Sequence, residues 1–102
     1  MKTGRWNGHL TPMHHPEMKN PVMFDVSYDI DNLEMTLTGP GGEPIQTRNE
    51  RVKNDTLHFE FNEPEENVLL KCRLARTEKK SFNGKCTDPS GQWARFTMNS
   101  PN

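Results

Sequence analysis

The stretch Val68-Leu69-Leu70-Lys71-Cys72-Arg73-Leu74-Ala75, followed after Arg76-Thr77-Glu78-Lys79-Lys80 by Ser81-Phe82-Asn83-Gly84-Lys85-Cys86, decides the fold. Val68, Leu70, Cys72 and Leu74 alternate with Leu69, Lys71, Arg73 and Ala75, and Phe82, Gly84 and Cys86 continue the alternation. Successive side chains of a strand point to opposite faces, so a period of two marks a half-buried strand. The charged segment between the two runs reads as a solvated hairpin tip. If the chain turns around Lys79, Cys72 and Cys86 become direct partners on the apolar face that also carries Leu70, Leu74 and Phe82. Opposed residues of an antiparallel pair come within disulfide reach. A Cys72–Cys86 bond is therefore expected, and with it an oxidising, secreted or periplasmic compartment. Two buried thiols in a cytosolic chain are the other reading of the same pair. Neither Cys has a neighbouring His in a nucleophile-base pattern.

The same alternation extends in both directions. Trp6, Gly8 and Leu10 share one face, as do Val22, Phe24, Val26 and Tyr28, then Leu33, Met35 and Leu37. Leu57, Phe59 and Phe61 form another run, and Ala94, Phe96 and Met98 the last. Turn residues separate them at Asp29-Ile30-Asp31-Asn32, Gly39-Pro40-Gly41-Gly42, Asn54-Asp55, Asn62-Glu63-Pro64 and Asp88-Pro89-Ser90-Gly91. No window shows helical periodicity. About eight strands are expected, the weakest around Ile45 to Val52. Short connections favour an antiparallel up-and-down meander. Such a sheet loses its exposed edges by curling strongly or closing into a small barrel. The fold class is thus all-β, in a single domain spanning 4–99. Thr11 to Asn20, with Pro12 and Pro16, reads as the one long loop.

Composition limits the partners. Only 30% of the 102 residues are hydrophobic, so the core must be thin. Thirteen basic and 14 acidic residues leave a net charge of −1. The one dense basic stretch, Arg76 to Lys80, is the presumed hairpin tip. No nucleic-acid partner is expected from this balance. No apolar run approaches the ~18 residues of a membrane helix, so no membrane insertion is expected. Met1-Lys2-Thr3 runs directly into patterned sequence, so an extracytoplasmic address requires a leader removed beforehand.

Gly4-Arg5-Trp6-Asn7-Gly8-His9-Leu10 reads G-x-W-x-G-x-L and resembles the opening of lipocalin-like β domains, where G-x-W stands at the barrel's closed end. Further along come Pro21-Val22-Met23-Phe24-Asp25-Val26, Leu33-Glu34-Met35-Thr36-Leu37 and Asp55-Thr56-Leu57-His58-Phe59. Cys72-Arg73-Leu74 and Gly84-Lys85-Cys86-Thr87-Asp88-Pro89-Ser90-Gly91 follow, then Phe96-Thr97-Met98. In this order they resemble a group of small secreted bacterial lipocalin-like domains of unassigned function, related to domains found ahead of secreted α/β-hydrolases. The resemblance implies a small barrel with an accessory or binding role, and gives Trp6 and Gly8 structural duties. It also implies an Arg of the last strand stacked across the Trp, which here would be Arg95. Parity opposes that stack, because Arg95 points outward if Phe96 points inward.

The first loop departs from those relatives, which often carry a plain Pro/Gly turn. His9, Met13, His14, His15 and Met18 offer imidazole and thioether ligands, a set suited to copper or zinc, although the spacing matches no tight metal motif. No other cofactor is implied. Asp25, Asp29, Asp31, Glu34 and Glu60 fall at turns or outward positions, while Glu63, Glu65 and Glu66 make an acidic tip. A hydrolase would need two of these carboxylates held at a set distance. The preferred reading is a non-enzymatic binding or accessory module for a small ligand or a protein. Its inward side chains fill most of the interior, so the ligand would bind at the open mouth or outer face. Metal binding through the first loop, hydrolysis by a carboxylate pair, and self-assembly through an apolar outer patch of Met23, Leu69 and Trp93 are the rivals.

Overall fold

The computed structural model describes residues 1–39, 41–64, 66–78 and 80–101. The expectations that fell on Lys79 as pivot, Pro40 in the glycine turn and Glu65 in the acidic tip lie outside them. Nine strands follow in chain order: β1 (Gly4–Pro12), β2 (Asn20–Asp29), β3 (Asn32–Thr38), β4 (Pro44–Gln46), β5 (Arg48–Lys53), β6 (Thr56–Glu63), β7 (Val68–Glu78), β8 (Ser81–Thr87) and β9 (Trp93–Asn99). Every pairing is antiparallel, in the order β4-β3-β2-β1-β9-β8-β7-β6-β5. The first strand pairs with the last, so the meander curls into a nearly closed barrel whose free edges, β4 and β5, are neighbours in sequence.

The ninth strand comes from the segment read as weakest. A single run over Ile45 to Val52 is cut at Thr47, because the backbone there leaves one ladder for another. The Thr47 N–H donates to the Met35 carbonyl at 3.2 Å, and its hydroxyl donates to Glu50 Oε2 at 2.8 Å. Glu50 Oε2 also accepts the Met35 N–H at 3.2 Å. A bulge between Arg48 and Arg51, with Asn49 at φ 55°, turns Glu50 toward this seam. Side-chain hydrogen bonds thus close the barrel where no ladder does, and they satisfy backbone groups that burial would otherwise orphan.

The first loop is shorter than its composition suggests. Thr11 and Pro12 belong to β1, opposite Arg95 and Ala94 of β9. The β1–β2 register ends at Leu10–Asn20, so Pro12 has a strand on one side only, where a missing N–H is tolerated.

The alternation becomes most of the core; Tyr28, near the end of β2, is exposed instead, and Leu70 is half-buried against the core. Trp6, Phe24, Leu57, Phe59, Leu74, Phe82, Phe96 and Met98 are all buried. Phe59 lies edge-on to Phe24 at 6.1 Å, with Phe61 at 6.3 Å and Phe96 at 6.4 Å. Two inward glycines permit the curvature. A Cβ on Gly8 would overlap the Thr97 carbonyl oxygen and stand 2.6 Å from its carbon. A Cβ on Gly84 would overlap the Arg73 carbonyl oxygen and stand 2.7 Å from the Leu74 Cα. Backbone meets backbone at both places, so no side-chain rotation relieves the clash. Gly8→Ala should therefore lose ~1–3 kcal/mol, the usual cost of overpacking. An unchanged urea midpoint for that variant would show that β1 and β9 separate freely.

Candidate functional site

The two ends of the barrel differ. At one end the Trp6 ring packs on Phe82 with centroids 5.8 Å apart, and its Nε1–H donates to the Lys2 carbonyl at 2.8 Å. Arg76 lies 5.3 Å over the Phe82 ring, with its Nε 3.8 Å from Asp55 Oδ1. This end is sealed. The cation beside the Trp6–Phe82 pair is Arg76 of β7, whereas Arg95 points outward from β9, 3.4 Å from Asn83 Oδ1. The Arg95 stack that the resemblance implied does not form, because, as parity indicates, Phe96 takes the inward position.

The other end is open. Here β1, β3 and β6 finish while β2 and β9 begin. Leu10, Val22, Leu37, Ile45, Phe61 and Phe96 line a recess of about 450 Å³. Val22, Leu37, Phe61 and Phe96 are buried and form its floor, while Leu10 and Ile45 are half-buried on its walls. Gly39, Gly41 and Gly42 edge it without side chains, and Glu43 and Glu63 add carboxylates. Glu63 Oε2 accepts the Glu66 N–H at 2.6 Å. The volume falls within the ~300–1,000 Å³ of small-molecule sites, and the apolar lining with few polar groups is typical of them.

The remaining candidates lie outside the mouth. His9 is exposed on the outer side of β1, its N–H donating to Thr97 Oγ1 at 3.1 Å. His14, His15 and Met18 are exposed in consecutive turns, where the His15 N–H reaches the Pro12 carbonyl and the Met18 N–H the His15 carbonyl. Met13 is half-buried, its N–H on the Trp93 carbonyl at 3.2 Å, and His15 Nδ1 stands 3.6 Å from Glu17. Among the described residues no cluster of three or more His, Cys, Asp or Glu could hold a metal. Asp25 pairs with Arg5 at 3.0 Å, Asp29 caps the Ile30 N–H, and Glu60 accepts from Asn49 at 3.1 Å. Met23, Leu69 and Trp93 stand on β2, β7 and β9, with β1 and β8 between them in the sheet. Asp88 is structural: its Oδ1 accepts from the Ser90 hydroxyl at 2.7 Å and from the Ser90 and Gln92 amides at 2.9 Å. These bonds, the Ser90 hydroxyl first, hold its carboxyl below the usual range. Gly91 completes that turn at φ 91°.

One constellation escapes a linear reading. On the outside of β5 to β9, Arg51 pairs with His58, His58 with Arg73, Arg73 with Lys85 and Lys85 with Arg95. Four cations and the His58 imidazole thus form one row perpendicular to the strands. Burial, and then Arg51, Arg73 and Lys53, push the His58 imidazole below its ordinary pKa of 6.5. Folding forced by sheet register, not sequence adjacency, brings these charges together.

No family model matches the chain, and no curated protein matches it. Its fold is similar to that of designed barrels. A redesigned β-barrel superposes with a TM-score of 0.74 at 17% identity, covering 98% of this chain and 91% of the other. The redesigned barrel mFAP1, bound to DFHBI, gives 0.72 at 19% identity over 95% and 93% of the two chains. A de novo fluorescence-activating barrel gives 0.69 at 12% identity over 98% and 94%.

Proposed function

We propose that this chain is a non-enzymatic, lipocalin-like binding module of an extracytoplasmic system, taking a small and mainly apolar ligand in its open mouth. The observation that carries the proposal is the recess of about 450 Å³ floored by Val22, Leu37, Phe61 and Phe96 at the end opposite Trp6. Apolar surface left open to water at a concave, pre-formed site gains free energy when a ligand covers it. The likeness to a barrel that is bound to DFHBI supports the scale, since a barrel of this size can take a small molecule. The Cys72–Cys86 bond supports the compartment, as does the resemblance to small secreted bacterial domains.

The neutral apolar dye N-phenylnaphthylamine tests this reading. It should bind saturably, with a rise in its fluorescence. Leu10→Lys places a charge on the wall without touching the floor. Losing the burial of one Leu, ~1.5–3 kcal/mol, should weaken binding about 10- to 150-fold. Leu10 is only half-buried against the core, so the protein should stay folded with a modestly lowered melting temperature. Equal dye affinity in the two proteins would remove the mouth as the site.

A further inference from the structure

We propose that the outer face of β5 to β9 binds a flexible, linear polyanion of the acidic-polysaccharide kind, laid across the strands. Arg51, His58, Arg73, Lys85 and Arg95 occupy one continuous cross-strand row. At ~4.8 Å between strands the row runs ~19 Å. Arg48 and Lys53 flank it on β5 and Lys71 on β7, so this face holds more than half of the chain's 13 Lys and Arg. Arg51, Arg73, Lys85 and Arg95 are exposed. Among the described residues no ion pair neutralises them, and Glu60 is the face's one carboxylate, bonded to Asn49. Like charges directly opposite one another destabilise a sheet. Folding alone gives no reason to align them, whereas an anionic partner would.

The shape and the lining narrow the partner. A shallow trough of about 500 Å³ lies over the β7–β9 part of the row, lined by Lys71, Arg73, Asn83, Lys85, Thr87 and Arg95. Guanidinium forks match planar carboxylates and sulfates, and the Asn and Thr side chains add hydrogen-bonding partners for hydroxyls. Single-stranded nucleic acid is normally held by aromatic platforms. The large aromatic on this face, Trp93, is half-buried beneath the Lys85 ammonium at 4.8 Å. A membrane is flat, while five strands bent around a body measuring 35 × 27 × 24 Å present a convex arc that a plane touches along a line only. A flexible chain follows the arc. The expected oxidising compartment is one where acidic polysaccharides, and not cytosolic nucleic acids, are the polyanions met.

The test uses the whole chain with its disulfide intact, offered heparin, polygalacturonate, oligo(dT) and vesicles of phosphatidylglycerol with phosphatidylcholine. Heparin and polygalacturonate should bind, with affinity falling linearly against salt on logarithmic axes as counterions are released. The combined variant Arg73→Gln, Lys85→Gln, Arg95→Gln should lose at least about tenfold in affinity and show a shallower salt slope. The combined variant Lys2→Gln, Arg5→Gln, Lys19→Gln removes equal charge elsewhere and should bind like the parent. Both should keep the parent's near-ultraviolet spectrum: the first variant removes opposed like charges, and the second loses one exposed ion pair, Arg5–Asp25. Equal losses in the two variants would reduce the effect to net charge and overturn the site. So would unaltered binding by the first. Tighter binding of oligo(dT) than of either polysaccharide, or binding to the vesicles alone, would overturn the assignment of the partner.

Discussion

Phe59→Ala should lower the unfolding free energy by ~3–5 kcal/mol, the range for deleting a buried aromatic. Phe59 is 1% exposed and lies between Phe24, Phe61 and Phe96, so its removal leaves the core's centre without a ring. A thick core fills such a gap from a second layer. Here the wall opposite is the other side of the same sheet, and the hydrogen-bond ladders hold it in place. The lost contacts are therefore not regained by collapse. Against a total of ~5–15 kcal/mol for a natural domain, the loss is severe. Each kcal/mol shifts the melting temperature of a ~100-residue domain by about 4–8 °C, so a fall of well over about 10 °C is expected. Phe59→Leu, which keeps most of the volume, should recover much of it. A Phe59→Ala protein melting within about two degrees of the parent would mean that Phe59 is not at the centre of the packing.

That centre was legible in the sequence because a strand's period is two and burial follows parity. Phe24, Phe59, Phe82 and Phe96 are inward by count alone, and the structure buries all four. What parity cannot express is the direction across the strands. Arg51, His58, Arg73, Lys85 and Arg95 are far apart in the chain and separated by inward apolar residues, so no window shows a basic run. A net charge of −1 conceals the segregation further. The same limit hid the seam. Thr47 and Glu50 both reach Met35 of β3 because β4 and β5 are the two edges of the curled sheet, which the local alternation of either strand does not encode. The cation at the closed end was passed over for another reason. Arg76 has the inward parity of Leu74 and stands opposite Phe82 in the same register that pairs Cys72 with Cys86, but it sits in the segment read as a solvated tip. The mouth was half legible: its lining came from the inward list, while its emptiness depends on how far each strand extends.

Reducing the Cys72–Cys86 bond should cost ~3 kcal/mol without unfolding the barrel. The two residues are direct partners in the β7–β8 ladder, joined across a sequence separation of 14. In the chain-entropy model a loop of about 15 residues stabilises by ~3 kcal/mol, by restricting the unfolded chain. The native pair is held independently. Cys72 sits between Phe59 and Cys86, and Cys86 between Cys72 and Ala94, with ladder hydrogen bonds on both sides. The bond lies away from the β4–β5 seam, so cutting it leaves the closure of the barrel untouched. Reduced protein should keep its far-ultraviolet spectrum and melt roughly 12–24 °C lower, at about 4–8 °C per kcal/mol for ~3 kcal/mol. Cys72 is 3% exposed and Cys86 fully buried, so reductant reaches the sulfurs only when the hairpin opens. Reduction should accordingly be slow in buffer and accelerate in subdenaturing urea. Cys72→Ala with Cys86→Ala should reproduce the lowered midpoint and abolish its dependence on reductant. Intact mass of the oxidised chain should be about two daltons below that of the reduced one, as two thiols oxidise to one disulfide. Two thiols open to alkylation in the natively purified, oxidised protein would refute the bond, and would withdraw the structural argument for an oxidising compartment on which the choice of a polysaccharide over a nucleic acid partly rests.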